Sequence, residues 1–260
     1  MTGSLAGRSA VITGGGRGIG AAIARVLASA GASVLVAART GSQVEAVASE
    51  LEASGARAFG AVADVTDPAA VAKLKEVALE RLGRVDILVN NAGAVHSAPV
   101  EKITLDDWQR LLAVNATSTF LCTQAFLPGM LERRWGRVVN VASIAGLSGG
   151  RYIAAYSAAK HAVIGFTRSV AAEVAQFGVT VNAVCPGYVD TPMTEESIRR
   201  IMEKTGRSRE QALAAILDTT PQRRLITPEE VAAAVLALCL DSARGINGHA
   251  LVIDGGALSR

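Results

Sequence analysis

The chain has 260 residues, half of them apolar but only 4% aromatic, and a net charge of +3 with acids and bases interspersed. That length suits one α/β domain or two small ones, and the even mix of signs argues against a nucleic-acid-binding or polybasic membrane-binding surface. No apolar run approaches the roughly 20 residues of a membrane span, and the stretch from Met1 to Ser9 has no apolar signal core.

Cys122, Cys185 and Cys239 are scattered and form no Cys-x-x-Cys pattern, and His96, His161 and His249 are isolated. The expectation is a reduced, cytoplasmic chain with no metal site.

Strand and helix patterns alternate from the start. Ser9–Thr13 reads as a short apolar strand, Ile19–Ala30 as a helix closed by Gly31, and Ser33–Ala38 as a second strand. Gly41–Ser54 is a helix ended by Gly55, and Ala58–Ala63 is a third strand. Asp67 before Pro68 marks the next helix start. Asp86–Val89 is the fourth strand, and the run Thr104-Leu105-Asp106-Asp107 signals the N-terminus of a long helix reaching about Leu131. Arg137–Ala142 is the fifth strand, Arg151–Phe177 a long helix, and Thr180–Val184 the sixth strand. Thr227-Pro228-Glu229-Glu230 opens a helix to about Leu240, and Ala250–Ile253 closes as a last strand. Apolar strands alternating with helices predict a parallel sheet covered on both faces, with right-handed crossovers and a doubly wound, Rossmann-like order. There is no internal repeat and no linker-like segment, so residues 1–260 are expected to form one dinucleotide-binding domain.

The glycine-rich turn Thr13-Gly14-Gly15-Gly16-Arg17-Gly18-Ile19-Gly20 lies between the first strand and the first helix. Glycines let backbone approach a pyrophosphate, and the helix N-terminus offers N–H groups and the positive end of its dipole. No Gly-Lys-Ser/Thr follows, which argues against nucleoside triphosphate hydrolysis. The second strand ends Ala37-Ala38-Arg39-Thr40, without the carboxylate that would bind the adenosine ribose of NAD. Arg39, with Arg17 in the turn, offers a planar cation to a 2′-phosphate, so NADP(H) is expected, with NAD(H) as the alternative if both arginines are merely solvated. Asp64 and Val65 after the third strand, Asn91-Ala92-Gly93 after the fourth, and Pro186-Gly187 after the sixth fall where such sheets bind ligands. Turn chemistry alone also accounts for Asn, Asp and Gly there. Asn115 sits mid-helix, where Asn is a poor helix former; the cost implies a function or a local kink.

Tyr156 and Lys160 are four residues apart, which on a helix puts both on one face. A cation beside a phenol favours the phenolate and lowers its pKa toward the range of a useful acid–base group. Ser143, just after the fifth strand, is placed to hold the same reacting oxygen. Alone, a Tyr-x-x-x-Lys pair is equally a helix-surface contact; beside a dinucleotide turn it points to hydride chemistry.

Taken in order, Thr13–Gly20, Asp64, Asn90–Gly93, Asn115, Ser143, Tyr156-Ser157-Ala158-Ala159-Lys160 and Pro186–Thr191 resemble the signs of the short-chain dehydrogenase/reductases over essentially the whole length. The resemblance implies seven parallel strands in the order 3-2-1-4-5-6-7 and a homotetramer or dimer built through the long helices. It also implies a tetrad of Asn115, Ser143, Tyr156 and Lys160. In that pattern Tyr156 is the acid–base and Ser143 orients the substrate oxygen. Lys160 lowers the phenol pKa and holds the nicotinamide ribose, and Asn115 anchors a proton-relaying water. Val189 and Thr191 join the expected cofactor contacts.

The segment at about 191–220 reads as a two-piece helical lid, Thr194–Lys204 and Ser208–Leu217, broken at Thr205-Gly206-Arg207. Its length resembles that of 3-hydroxybutyrate dehydrogenases and some polyketide ketoreductases. The positions where the hydroxybutyrate enzymes grip a free carboxylate correspond here to Val95, Ala145 and Ile153, all apolar. With Tyr188 they are the expected substrate contacts, and they favour a 3-oxoacyl thioester of coenzyme A or an acyl carrier protein. Arg199, Arg200, Arg207 and Arg209 are candidates for its phosphates, or else form a solvated helix face. The alternatives are an NAD(H)-dependent hydroxyacyl-CoA or other secondary-alcohol dehydrogenase, and a catalytically silent dinucleotide-sensing protein.

Overall fold

A computed structural model describes residues 3–259. Its parallel sheet runs β3-β2-β1-β4-β5-β6-β7, with β1 at Ser9–Thr13, β2 at Ser33–Ala38, β3 at Ala58–Val62, β4 at Ile87–Asn90, β5 at Gly136–Val141, β6 at Val179–Pro186 and β7 at Ala250–Ile253. The expected order is found. β1, β4, β5 and β6 are buried at every residue, whereas β3 alternates and β7 is only partly covered. Strands sandwiched between two helical layers need apolar residues on both faces, which is why the central ones read as continuous Val, Ile and Ala runs.

Alternate residues of those strands feed two cores. Ile12, Val34, Val36, Val89 and Val139 pack with Ile23 and Leu27 of α1 (Gly18–Ser29), Val44 and Val47 of α2 (Gly41–Ala53), and Val231, Val235 and Leu238 of α9 (Pro228–Cys239). Val11, Leu35, Leu88, Val138 and Val181 face Leu74 and Ala78 of α3 (Pro68–Leu82). They also face Phe126 and Met130 of α5 (Ser118–Glu132), and Val170 and Val174 of α6 (Ala154–Val174).

The long helix expected after Thr104 is interrupted. Thr104 does cap it, accepting from Asp107 N at 3.0 Å, but α4 (Leu105–Leu112) passes into a π-turn at Ala113–Thr117 before α5. The wider turn frees backbone carbonyls, and side chains take them up: Asn115 Nδ2 donates to Leu111 O at 2.9 Å, Ser118 Oγ to Val114 O at 2.7 Å and Thr119 Oγ1 to Asn115 O at 3.0 Å. Short polar side chains able to bond one turn back make the bulge tolerable.

The helix expected from Arg151 begins only at Ala154, because Tyr152 holds a left-handed φ of 68° that no helix accommodates. β6 runs to Pro186, two residues beyond expectation; the ring blocks no ladder bond, and pairing continues through Gly187 N, which donates to Ile253 O at 3.0 Å. In the expected lid region lie α7 (Pro192–Thr205) and α8 (Arg209–Leu217), separated where Gly206 turns with φ 70°. Ile198 of α7 and Ala212 and Ile216 of α8 form a small core of their own. Among the described residues no helix is long and apolar enough to cross a membrane.

Candidate active site

β1 and β4 are neighbours, so the strand order reverses between them, and in open α/β sheets ligands bind at the carboxyl ends on either side of such a point. Thr13, the last residue of β1, ties the two ends together. Its Oγ1 accepts from Asn91 N at 3.0 Å and Ala92 N at 3.1 Å, while Asn91 Nδ2 donates to Thr13 O and Gly14 O, both at 3.0 Å. The sequence reading named Thr13 as the first residue of the glycine-rich turn but gave it no role of its own; the signal was a β-branched hydroxyl residue directly before the glycines.

That tie leaves no room for side chains. A Cβ on Gly20 would lie 2.2 Å from Gly14 O, and one on Gly14, whose φ is +62°, would lie 2.9 Å from Asn91 Nδ2. Gly18, φ +53°, faces Thr191 across the groove, where a Cβ would stand 3.3 Å from Thr191 Cγ2. The turn therefore presents bare backbone. α3, α8 and α9 have their first N–H groups capped by Asp67, Ser208 and Thr227, but the residues before α1 and α2, Arg17 and Thr40, make no side-chain cap. Uncapped N–H groups beside a glycine cradle fit the phosphates of a dinucleotide.

Between α1 and α2 a groove is lined by Gly16, Arg17, Ser42 and Gln43. Arg25 is already committed there, its Nε 2.7 Å from Glu50 Oε1. Arg17 and Arg39 are exposed, without a partner of that kind in the described contacts. Asp64 accepts from Thr66 N at 3.0 Å and Thr66 Oγ1 at 2.7 Å. Those bonds hold its carboxyl below its usual value, with Arg39 adding a smaller pull. Ile19 is half-buried at the start of α1, Val65 is buried beside Asp64, and Val189, buried, pairs with Ile226 just before α7.

The chemistry-bearing side chains gather on the β4–β5–β6 side. Ser143 follows β5, and its Oγ accepts from Ala145 N at 3.1 Å, opening a short 3-10 turn that buries Ala145. Lys160 is 4% exposed and donates from Nζ to Val141 O at 2.8 Å, with its Nζ 5.8 Å from the Tyr156 ring centroid. Asn115, 1% exposed, is wedged against the loop after β4: Nδ2 donates to Ala94 O at 2.9 Å and Oδ1 accepts from Ala94 N at 3.3 Å. A Cβ on Gly93 would fall 2.8 Å from Asn115 Oδ1 and 3.6 Å from Lys160 Nζ, so these two side chains converge on Gly93.

Electrostatically the pair departs from the simple expectation of a phenol lowered by its lysine. Burial pushes the Tyr156 phenol up to about 12, with the Ser143 hydroxyl pulling the other way, and burial pushes Lys160 down to about 8. Desolvation disfavours both charged forms and is the largest cause of each shift. Cys185, fully buried at the end of β6, is raised to about 11 by the same cause and stays a packing thiol.

The sequence reading also missed a buried amide chain beneath the site. Asn90 Nδ2 donates to Asn140 Oδ1 at 2.9 Å and Thr123 Oγ1 at 3.0 Å, and Asn140 Nδ2 donates to Thr167 Oγ1 at 2.9 Å. It locks β4, β5, α5 and α6 in register below Ser143 and Lys160.

Gly93→Ala is expected to leave the fold intact but lower kcat about tenfold or more, because the added methyl would stand 2.8 Å from Asn115 Oδ1 and displace that side chain from Ala94. Unchanged kcat with a normal melting temperature contradicts that.

The chain and its fold are similar to those of known proteins. Residues 8–201 match the family model for short chain dehydrogenase. The chain is 42% identical over 96% of its length to the monensin polyketide synthase putative ketoacyl reductase of Streptomyces virginiae, covering 96% of it. It is 39% identical to the D-beta-hydroxybutyrate dehydrogenase of Rhizobium meliloti, over 96% of this chain and 98% of that one. To the 3-oxoacyl-[acyl-carrier-protein] reductase of Synechocystis the identity is again 39%, over 97% and 98%. A crystal structure of an actinorhodin polyketide ketoreductase variant with NADPH superposes with a TM-score of 0.94 at 37% identity, covering 99% of each chain. The fold is thus held in common with these proteins over nearly the whole length, and this chain belongs to the short chain dehydrogenase family, an oxidoreductase family.

Proposed function

We propose that this oxidoreductase is an NADP(H)-dependent reductase of a carbonyl group, with a 3-oxoacyl thioester as its substrate. The carrying observation is the meeting of half-buried Ser143 and Tyr156 with buried Lys160 and Asn115 in one cluster beside the glycine cradle. The relatives named as ketoacyl and 3-oxoacyl reductases, and the NADPH in the ketoreductase structure, support the same reading.

Gly14, Gly16, Gly18 and Gly20 would hold the pyrophosphate; Arg17, Arg39 and Thr40 the 2′-phosphate; Asp64 and Val65 the adenine side; Asn91, Ala92 and Gly93 the adjoining ribose; and Pro186, Gly187, Val189 and Thr191 the nicotinamide end. The nicotinamide supplies or accepts the hydride. The protein's part is proton supply and orientation. Ser143 and Tyr156 each direct a hydroxyl at the substrate oxygen, and Tyr156 gives it a proton in reduction. Lys160 keeps a positive charge below the phenol and refills its proton, and Asn115 fixes the loop above. Val95, Ala145, Ile153 and Tyr188, which would line the substrate side, are apolar apart from one phenol, which favours a neutral thioester over a small free acid. Helices α7 and α8 serve as the lid.

Two measurements bear on this. Acetoacetyl thioesters are expected to be reduced with kcat/KM at least tenfold above acetoacetate; the reverse order would make the chain a dehydrogenase of free hydroxy acids. Because the Lys160 ammonium is held to about 8, kcat/KM for reduction should be flat below that pH and fall above it, as the free enzyme loses the proton and charge at this site. Lys160→Met should lack that inflection and show a raised cofactor KM; a wild-type profile in the variant contradicts both roles.

A further inference from the structure

The four lid arginines differ in their surroundings. Arg199 has a 68% exposed side chain shared between Glu196 and Glu203 at 3.9 Å each, and Arg209 pairs with Glu195 at 2.5 Å. Arg207, between the two helices, is exposed. Arg200 is turned inward. Its side chain is 26% exposed, with one terminal nitrogen 3.4 Å from Ser97 Oγ and the other 3.5 Å from Glu196.

Ser97 belongs to the loop after β4, which is pinned on both sides of it. Ala94 is held by Asn115, and Ala98 N donates to Tyr152 O at 2.8 Å. The Arg200–Ser97 contact therefore lies where three segments meet: the loop carrying Val95, the turn before α6 carrying Ile153, and α7. The expected substrate contacts Val95, Ala145 and Ile153 are apolar and offer no charge of their own. A half-buried guanidinium at the rim suits a substrate whose charge lies at the far end of a neutral arm. Ser97 adds a hydroxyl that can donate to the same anion, and the Glu196 contact, at 3.5 Å, is a loose one that an anion of higher charge can displace.

We infer that Arg200, with Ser97, reads the phosphate at the end of a phosphopantetheine arm, so that lid and loop together select substrates delivered on that arm. This rests on the thioester reading above. A minimal pair of substrates isolates it: acetoacetyl-pantetheine and acetoacetyl-4′-phosphopantetheine differ only in the phosphate. Wild type is expected to show a KM about five- to tenfold lower for the phosphorylated compound, at the modest end for a charge-assisted contact because the site is partly exposed. Raising the ionic strength should shrink the difference. Arg200→Gln should bring the ratio close to one, Arg200→Lys should keep part of it, and Glu196→Gln should enlarge it by freeing the guanidinium. If wild type reduces both compounds with equal KM, or if the ratio survives in Arg200→Gln, the inference falls while the thioester reading stands. If wild type reduces neither compound, both fall. With the phosphate effect in hand, acetoacetyl-coenzyme A and acetoacetyl carrier protein compared at equal concentration distinguish the two sources of the arm.

Discussion

Tyr156→Phe is expected to keep cofactor binding and to lose turnover by about 10²–10⁴-fold, the range over which a positioned general acid–base group acts. The structure sharpens the reason. The phenol is pushed up to about 12 by burial, so over the neutral range it is almost entirely in the proton-donating form that carbonyl reduction requires. Of its neighbours, Ser143 is a hydroxyl of far higher pKa, Cys185 is fully buried, and Lys160 Nζ is directed at Val141 O. Removing one oxygen atom changes little volume, so the melting temperature and the cofactor dissociation constant should be near wild type. Stopped-flow or steady-state absorbance at the nicotinamide band with an acetoacetyl thioester measures the effect. Retention of a tenth of wild-type kcat would overturn the assignment. In the alcohol-oxidising direction the same high phenol pKa predicts a rate that climbs with pH, because the proton acceptor is the phenolate.

The second large effect concerns the cofactor. Arg39 directly follows β2, at the position where a carboxylate would bond the adenosine ribose hydroxyls, and Arg17 lines the neighbouring groove. A charge-assisted bond to a 2′-phosphate contributes about 1.5–3 kcal/mol, or roughly ten- to a hundredfold in preference. Both arginines are exposed, so the lower part of that range is the expectation. Arg39→Asp replaces an attraction by a repulsion and offers NAD an acceptor, so the swing in the NADP(H)/NAD(H) ratio of kcat/KM should exceed the loss of either term alone. Arg17→Ser should lower the ratio less, without aiding NAD(H). A wild type that already prefers NAD(H), or a ratio unmoved in Arg39→Asp, would show Arg39 to be only a solvated side chain stacked near the adenine.

Much of the fold was legible because its signals are local. The buried strands are runs of β-branched and small apolar residues bounded by Gly, Asn or Asp, and the caps at Asp67, Ser208 and Thr227 are visible as short polar residues before a helix. Where the candidate residues gather was legible for a related reason. In a parallel sheet every strand's carboxyl end lies on one edge, so the residues following the strands must meet there whatever the details of packing. Thr13, Asp64, Asn91, Ser143 and Gly187 all follow that logic.

What only the tertiary structure decided depends on burial and on contacts distant in sequence. An Asn in a helix announces a cost; only the fold shows that the cost is met by a π-turn, three back-bonding side chains and a clamp on Ala94, 21 residues away. Spacing put Tyr156 beside Lys160 and suggested that the lysine lowers the phenol; desolvation, which spacing does not encode, lifts the phenol and lowers the lysine instead. Four lid arginines look alike in a string of letters. The local acids Glu195, Glu196 and Glu203 hold two of them at the surface, and contact with Ser97, 103 residues earlier, turns Arg200 inward. Periodicity and turn chemistry belong to neighbours along the chain and so can be read from it; charge environments and the facing of side chains belong to neighbours in space, which exist only once the sheet has brought them together.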